Sequence, residues 1–200
     1  MKVIIIGATG AIGSRVSAAL EKEHEVIKVG TKSGDIQADI TSPASVENMF
    51  KQAGDFDALI NVSGDAHFGP LKTMTDADFR KGVDSKLMGQ ISLVLIGQHY
   101  INPKGSFTLT TGVLTEDPIM LGSNPSAVNG AVEAFVRAAA IELENGVRIN
   151  AVSPTVVEAT PQYFSYFPGH IPVTMDRVVN GYMKSTLGAN TGQVIRVHSL

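Results

Sequence analysis

A doubly wound α/β fold, with a parallel sheet and helices on both of its faces, is what this 200-residue sequence predicts. Three observations carry the prediction. Short apolar, β-branched runs recur along the chain, at 3–6, 25–29, 56–62, 105–111, 147–152 and 193–197. Runs of that kind suit strands buried on both faces. Segments with apolar residues at helical spacing lie between them, so strand and helix alternate throughout. The first run is followed at once by Gly7, Gly10 and Gly13, and then by Ile12, Val16, Ala19 and Leu20 at helical spacing.

That opening is the first half of a dinucleotide-binding strand–turn–helix unit. Gly7 permits the tight turn that leaves the strand, Gly10 lets the backbone approach a pyrophosphate, and Gly13 lets the helix sit close to the sheet. The helix N-terminus offers free N–H groups and a partial positive charge to the phosphates. Thr9 and Ile12 fall inside the same turn and join the cofactor-binding set.

After the second strand the polar stretch is Thr31-Lys32-Ser33, where an NAD-selective site carries an acid for the ribose hydroxyls. One cation and two hydroxyls suit a 2′-phosphate better than a diol, which favours NADP(H) over NAD(H). A solvated turn with a surface lysine is the competing reading, and the nearby Asp35 weighs on its side. Ser42-Pro43 starts a helix whose apolar face is Val46, Met49 and Phe50. The strand over 56–62 ends in small polar residues, at the sheet edge where ligands sit in open α/β folds. Thr75 is the expected N-cap of the next helix, with Asp76 and Asp78 in its first turn. A long apolar helix is expected over 87–100, then a turn at Asn102-Pro103-Lys104-Gly105 before the strand over 105–111. An alanine-rich helix is expected over 126–144, with apolar residues on more than one face. An aromatic loop follows over 161–172, then a last helix over 175–187.

Composition narrows the function classes. The chain is 44% apolar and 18% charged, with net charge −3 and no block of Lys or Arg, which argues against nucleic acid and anionic membrane as partners. It has no cysteine, so disulfides, thiolate nucleophiles and Cys-ligated metals are excluded, and a reducing cytoplasm is the expected setting. The run after Met1-Lys2 is too short and too glycine-interrupted for a secretion signal, and no stretch reaches the ~18 apolar residues of a membrane span. No repeat or linker divides residues 1–200, so a single domain is expected. No metal site is expected.

With these elements in place the sequence resembles the short-chain dehydrogenase/reductase family over nearly its whole length. Asp39-Ile40 matches the Asp-Val pair that the family sets against the adenine. Asn61-Val62-Ser63-Gly64 resembles its Asn-Asn-Ala-Gly motif, which assigns Asn61, Ser63 and Gly64 to the cofactor. The segment 148–154 is similar to the stretch ending in Pro-Gly at the nicotinamide end, which assigns Pro154. The template also implies a short extra strand between the second and third. The family's usual Tyr-x-x-x-Lys pair does not follow: Pro125 stands where the tyrosine belongs and Asn129 where the lysine belongs. The family's serine aligns with Thr111, or with Thr110 if the gap moves, and its helix asparagine aligns with Lys86. Lysine and asparagine are therefore exchanged, and Lys86, Thr111 and Asn129 are the candidate catalytic residues.

The resemblance implies an NADP(H)-dependent oxidoreductase of a small carbonyl or alcohol substrate, working as a homodimer or homotetramer in which the two long helices pair across a two-fold axis. Without the tyrosine and lysine, a catalytically impaired cofactor-binding sensor is the competing function. Tyr163 and Tyr166 in the aromatic loop are alternative phenols, or simply pack that loop. His67 and His170 are lone loop histidines, and Glu116-Asp117 reads as a turn cap.

Overall fold

Strand order follows from where the chain reverses its march across the sheet. The computed structural model describes residues 1–198. Seven strands form one sheet: β1 (Lys2–Ile6), β2 (Glu25–Gly30), β3 (Ile36–Gln37), β4 (Phe56–Asn61), β5 (Ile101–Thr110), β6 (Arg148–Pro154) and β7 (Val194–Val197). Their order is β3-β2-β1-β4-β5-β6-β7, and every neighbouring pair is parallel. The chain moves outward from β1 to β3 and then crosses back to β4, so the switch point opens at the carboxyl ends of β1 and β4.

Alternation along the strands sorts the helices into two layers. Ile4, Ile6, Leu59, Phe107 and Ile149 point to one face, where they pack against α2 (Pro43–Ala53), α4 (Gly89–Gly97) and α5 (Ser123–Glu142). Val3, Ile5, Ile60 and Val152 point to the other, against α1 (Ala11–Leu20) and α6 (Met175–Leu187). Between β4 and α4, α3 (Asp76–Gly82) begins with a reciprocal cap. The Thr75 hydroxyl accepts from the Asp78 N–H at 3.1 Å, and the Asp78 carboxylate accepts from the Thr75 N–H at 3.2 Å.

Several boundaries differ from expectation, each for a local reason. The long helix expected from 87 is preceded by a π-helical turn over Val83–Met88, and α4 itself ends at Gly97. The turn expected at 102–105 is a kink inside β5: Lys104 takes a positive φ of 66° and the pairing with β4 slips between Phe56 and Ala58. The alanine-rich helix starts earlier, at Ser123, because Pro125 falls in its first turn, where an N–H has no helical partner to lose. The aromatic loop contains a 3₁₀ turn over Pro161–Tyr166. The short extra strand implied by the family template is β3. Among the described residues no helix is long and apolar enough to cross a membrane.

Candidate active site

The glycine turn is built as its spacing requires. Gly7 has φ 78°, and a Cβ there would stand 3.0 Å from Ser63 Cβ, so the turn lies against the loop that follows β4. A Cβ on Gly13 would be driven into the Gly7 carbonyl, which fixes how closely α1 approaches the strand. Gly10 is different: it is exposed, and its only neighbour in that direction is the Gly7 carbonyl oxygen at 3.4 Å. No side chain caps α1, and its N-cap Gly10 lines an open cleft of about 620 Å³.

Thr9, Gly10, Thr31, Asp39, Ile40, Ser63 and Gly64 line that cleft. Lys32 and Ser33 are exposed just beyond its wall, and the Ser33 hydroxyl donates to Thr9 Oγ1 at 3.3 Å. The Asp35 carboxylate is committed elsewhere, accepting from the backbone N–H of Lys28 at 2.8 Å. Asp39 accepts from the hydroxyl and the N–H of Thr41, at 2.7 and 2.9 Å, and these bonds hold its carboxyl below the usual range. Asn61 differs from its expected role. It is wholly buried and does not line the cleft; its amide donates to Ser63 O at 2.8 Å and to Gln90 Oε1 at 3.0 Å, and accepts from the Ser63 hydroxyl at 2.8 Å. It shapes the edge on which Ser63 and Gly64 sit.

Next to the cleft is a cavity of about 350 Å³, which shares Gly64, Asp65 and Tyr163 with it. Lys86, Thr111 and Asn129, together with Ile12 and Pro154, all line this cavity. Lys86 belongs to the π-helical turn, a distortion often found at functional sites. Its carbonyl accepts from Gln90 Nε2 at 2.9 Å. Its ammonium makes no hydrogen bond or ion pair among the described residues, and burial pushes its pKa down to about 8 against the opposing charge of Asp65.

Asn129 is 3% exposed, and its Oδ1 has no hydrogen-bond partner among the described residues. The Thr111 hydroxyl donates to Glu133 Oε1 at 3.2 Å, and Glu133 is itself 2% exposed. Thr110, the other placement of the family's serine, faces the opposite layer. Its hydroxyl is bonded to the Asn61 carbonyl and, at 2.7 Å, to the Tyr182 hydroxyl, which removes it from the cavity. Pro125 lines the cavity and supplies no proton.

Of the alternative groups, Tyr163 lines both spaces, whereas Tyr166 packs against Phe68 in a tilted ring contact with centroids 6.0 Å apart. His170 pairs with Asp117 at 3.4 Å and Thr155 at 3.3 Å, and Glu116 pairs with Arg196. His67 lines neither space. Sequence reasoning missed Gly112, which lines the cavity beside Asn129, and Glu133. The available signal for Glu133 was its place four residues after Asn129, on the same helix face. Among the described residues no His, Asp or Glu cluster could hold a metal ion.

A parallel sheet of this order, with a glycine turn at its switch point and a cavity beside it, defines a nucleotide-binding oxidoreductase frame. Residues 6–170 match the family model described as enoyl-(acyl carrier protein) reductase, and the chain belongs to that short-chain dehydrogenase/reductase family. The chain is similar to the protein lin1944 from Listeria innocua, with 45% identity and a TM-score of 0.97 over 99% of this chain and 100% of that one. It is also similar to a small-chain dehydrogenase in complex with NADPH, at 26% identity and a TM-score of 0.88 over 99% of this chain and 96% of the other. An oxidoreductase of Methylorubrum extorquens is 25% identical over 178 residues, 77% of this chain and 72% of that protein.

Proposed function

We propose that this protein is an NADP(H)-dependent reductase of a small carbonyl compound in which Lys86 takes over the task of the family's tyrosine–lysine pair. One observation carries the reading: Lys86, half-buried and with an unpartnered ammonium, lines the cavity with its stem packed against Gly64, a residue that borders both the cavity and the cofactor cleft. A half-buried charge without an ion-pair partner costs stability, and groups so perturbed concentrate at functional sites.

The residues fit the cofactor. Gly7, Gly10 and the free N–H groups of α1 suit a pyrophosphate. Thr31, Lys32 and Ser33 suit a 2′-phosphate, with Asp35 turned away onto Lys28. Asp39 and Ile40 stand where the adenine belongs, and Ile12, Ser63, Gly64 and Pro154 border the nicotinamide end. When bound, NADPH supplies the hydride. Lys86 stabilises the substrate oxygen as negative charge develops on it, and passes one proton from Nζ to that oxygen. Solvent then restores the ammonium. Asn129 adds a polar contact, and the apolar walls exclude water. The sensor reading rests on the missing tyrosine and lysine alone. We further read the protein as a cytoplasmic homodimer or homotetramer joined through α4 and α5.

The test is calorimetry with NADPH, followed by turnover of a carbonyl panel by the parent and by Lys86→Met. Parental turnover in the variant would remove Lys86 from the mechanism.

A further inference from the structure

The hydrogen-bonding inventory of the cavity is lopsided. Its one cation, Lys86, offers donors only. Thr111 offers the opposite, because its single hydroxyl proton is committed to Glu133 Oε1 at 3.2 Å. A carboxylate oxygen can only accept, so the threonine cannot turn that bond around, and its oxygen has only a lone pair left to offer. Arg137 lies 3.5 Å from the other carboxylate oxygen and compensates its charge. Asn129 adds a second acceptor, its buried and unpartnered Oδ1. Away from Asp65 and Tyr163, which it shares with the cleft, the rest of the wall is largely apolar, from Ile12, Phe68, Val113, Leu114, Val156 and Phe167.

Asn129 Oδ1 is a buried acceptor left without a donor, which is costly, and Thr111 beside it on the same wall has a lone pair but no proton to offer, so the pair calls for a ligand that brings a donor. We infer that the substrate is a small, otherwise apolar carbonyl compound bearing a neighbouring hydroxyl group, with its carbonyl oxygen on Lys86 and its hydroxyl donating to Thr111 and Asn129. Glu133, which touches no substrate, is the positioning residue that makes Thr111 an acceptor. The inference rests on the reductase reading of this cavity and adds the substrate class to it.

The probes are 3-hydroxy-3-methylbutan-2-one and its methyl ether, 3-methoxy-3-methylbutan-2-one. They differ in the donor, and neither can be oxidised at the tertiary carbon. Each is titrated into the protein saturated with NADP⁺ and followed by ligand-observed NMR. The hydroxy compound is expected to bind at least ~10-fold more tightly, as for a site built around a substrate hydroxyl. Thr111→Val should abolish most of that preference. Glu133→Gln should erode it too, since a glutamine amide can donate to Thr111 and release the threonine proton toward the cavity. Circular dichroism checks that each variant is folded, and Thr111→Val carries the test if Glu133→Gln does not fold.

Equal binding of the two probes, or binding of neither, overturns the inference. So does a preference that survives Thr111→Val together with Asn129→Leu. Loss of the preference only through weakened NADP⁺ binding in Asn129→Leu would assign that acceptor to the cofactor and overturn its substrate role. NADP⁺ affinity is measured on the same samples: a parent protein that does not bind the cofactor refutes the reductase reading itself, a distinguishable failure.

Discussion

The stem of Lys86 lies directly against Gly64: a Cβ on Gly64 would stand 3.0 Å from Lys86 Cα and 3.4 Å from its Cβ and Cγ. Gly64 also has φ +123°, a backbone that side chains rarely adopt. Gly64→Ala should therefore shift Lys86 and strain the loop after β4. A loss of turnover of about tenfold or more is expected, with stability reduced by on the order of 1–3 kcal/mol. Steady-state kinetics and thermal melts of the variant check it, and unchanged values for both would contradict the close packing.

Lys86→Met should depress kcat more than it raises KM, because alkoxide charge develops only in the transition state. The expected fall is about 10²–10³-fold. In the parent, the reduction rate should decline as pH rises through about 8, where the ammonium loses its proton. A flat profile from pH 6 to 10 would place the proton donor elsewhere.

The same lysine sets a stability slope. Its folded pKa of about 8 is depressed from 10.5, so between those values the unfolded chain holds a proton that the folded chain has released. Stability should rise with pH across that window, and below about 8 the buried charge is a standing cost. Lys86→Met should abolish the slope and stabilise the protein at neutral pH by on the order of 2 kcal/mol. Urea denaturation at pH 7 and pH 9.5 measures both effects.

Gly10 and Gly13 should separate binding from folding. Gly10→Val is expected to keep the fold and lose cofactor binding, since its Cβ meets only the Gly7 carbonyl oxygen, at 3.4 Å, and the rest of the side chain enters the cleft. Gly13→Val should fail to fold, since its Cβ overlaps the Gly7 carbonyl. NADPH should also bind about tenfold to a hundredfold more tightly than NADH, the equivalent of a charge-assisted bond worth ~1.5–3 kcal/mol. Calorimetry reads these outcomes, and Lys32→Ala should narrow the gap between the two cofactors.

The oligomer is expected to persist at micromolar concentration in sedimentation. Leu95 on α4 and Ile141 on α5 are 50% and 87% exposed, and apolar side chains so placed suit an interface between copies. Leu95→Asp should yield monomers. A parent that sediments as a monomer would end this reading.

The central strands β1 and β4 were legible because they are buried on both faces for nearly their whole length and therefore read as apolar runs. Gly7, Gly10 and Gly13 were legible because each solves a backbone problem visible in the local pattern. What could not be read were contacts that exist only once the sheet is assembled. Asn61 looked like a cofactor ligand by its motif, yet its amide is spent within the fold on Ser63 and Gln90. Thr110 and Thr111 are adjacent in sequence but face opposite layers, and only the strand register decides which meets the cavity. Glu133 drew no notice on the alanine-rich helix, and its contact with Thr111 exists only once α5 is laid against the end of β5.

Gln90 is fully buried and all of its amide is in use: Oε1 accepts from Asn61 and from the Thr110 N–H, and Nε2 donates to the carbonyls of Lys86 and Thr110. It thereby bolts the end of β4, the end of β5 and the lysine-bearing turn into one rigid piece. For protein engineering the consequence is that Lys86 is not a portable residue. Grafting a lysine alone onto another reductase would leave it without a seat; the unit to transplant is Asn61, Gly64, Lys86 and Gln90 together.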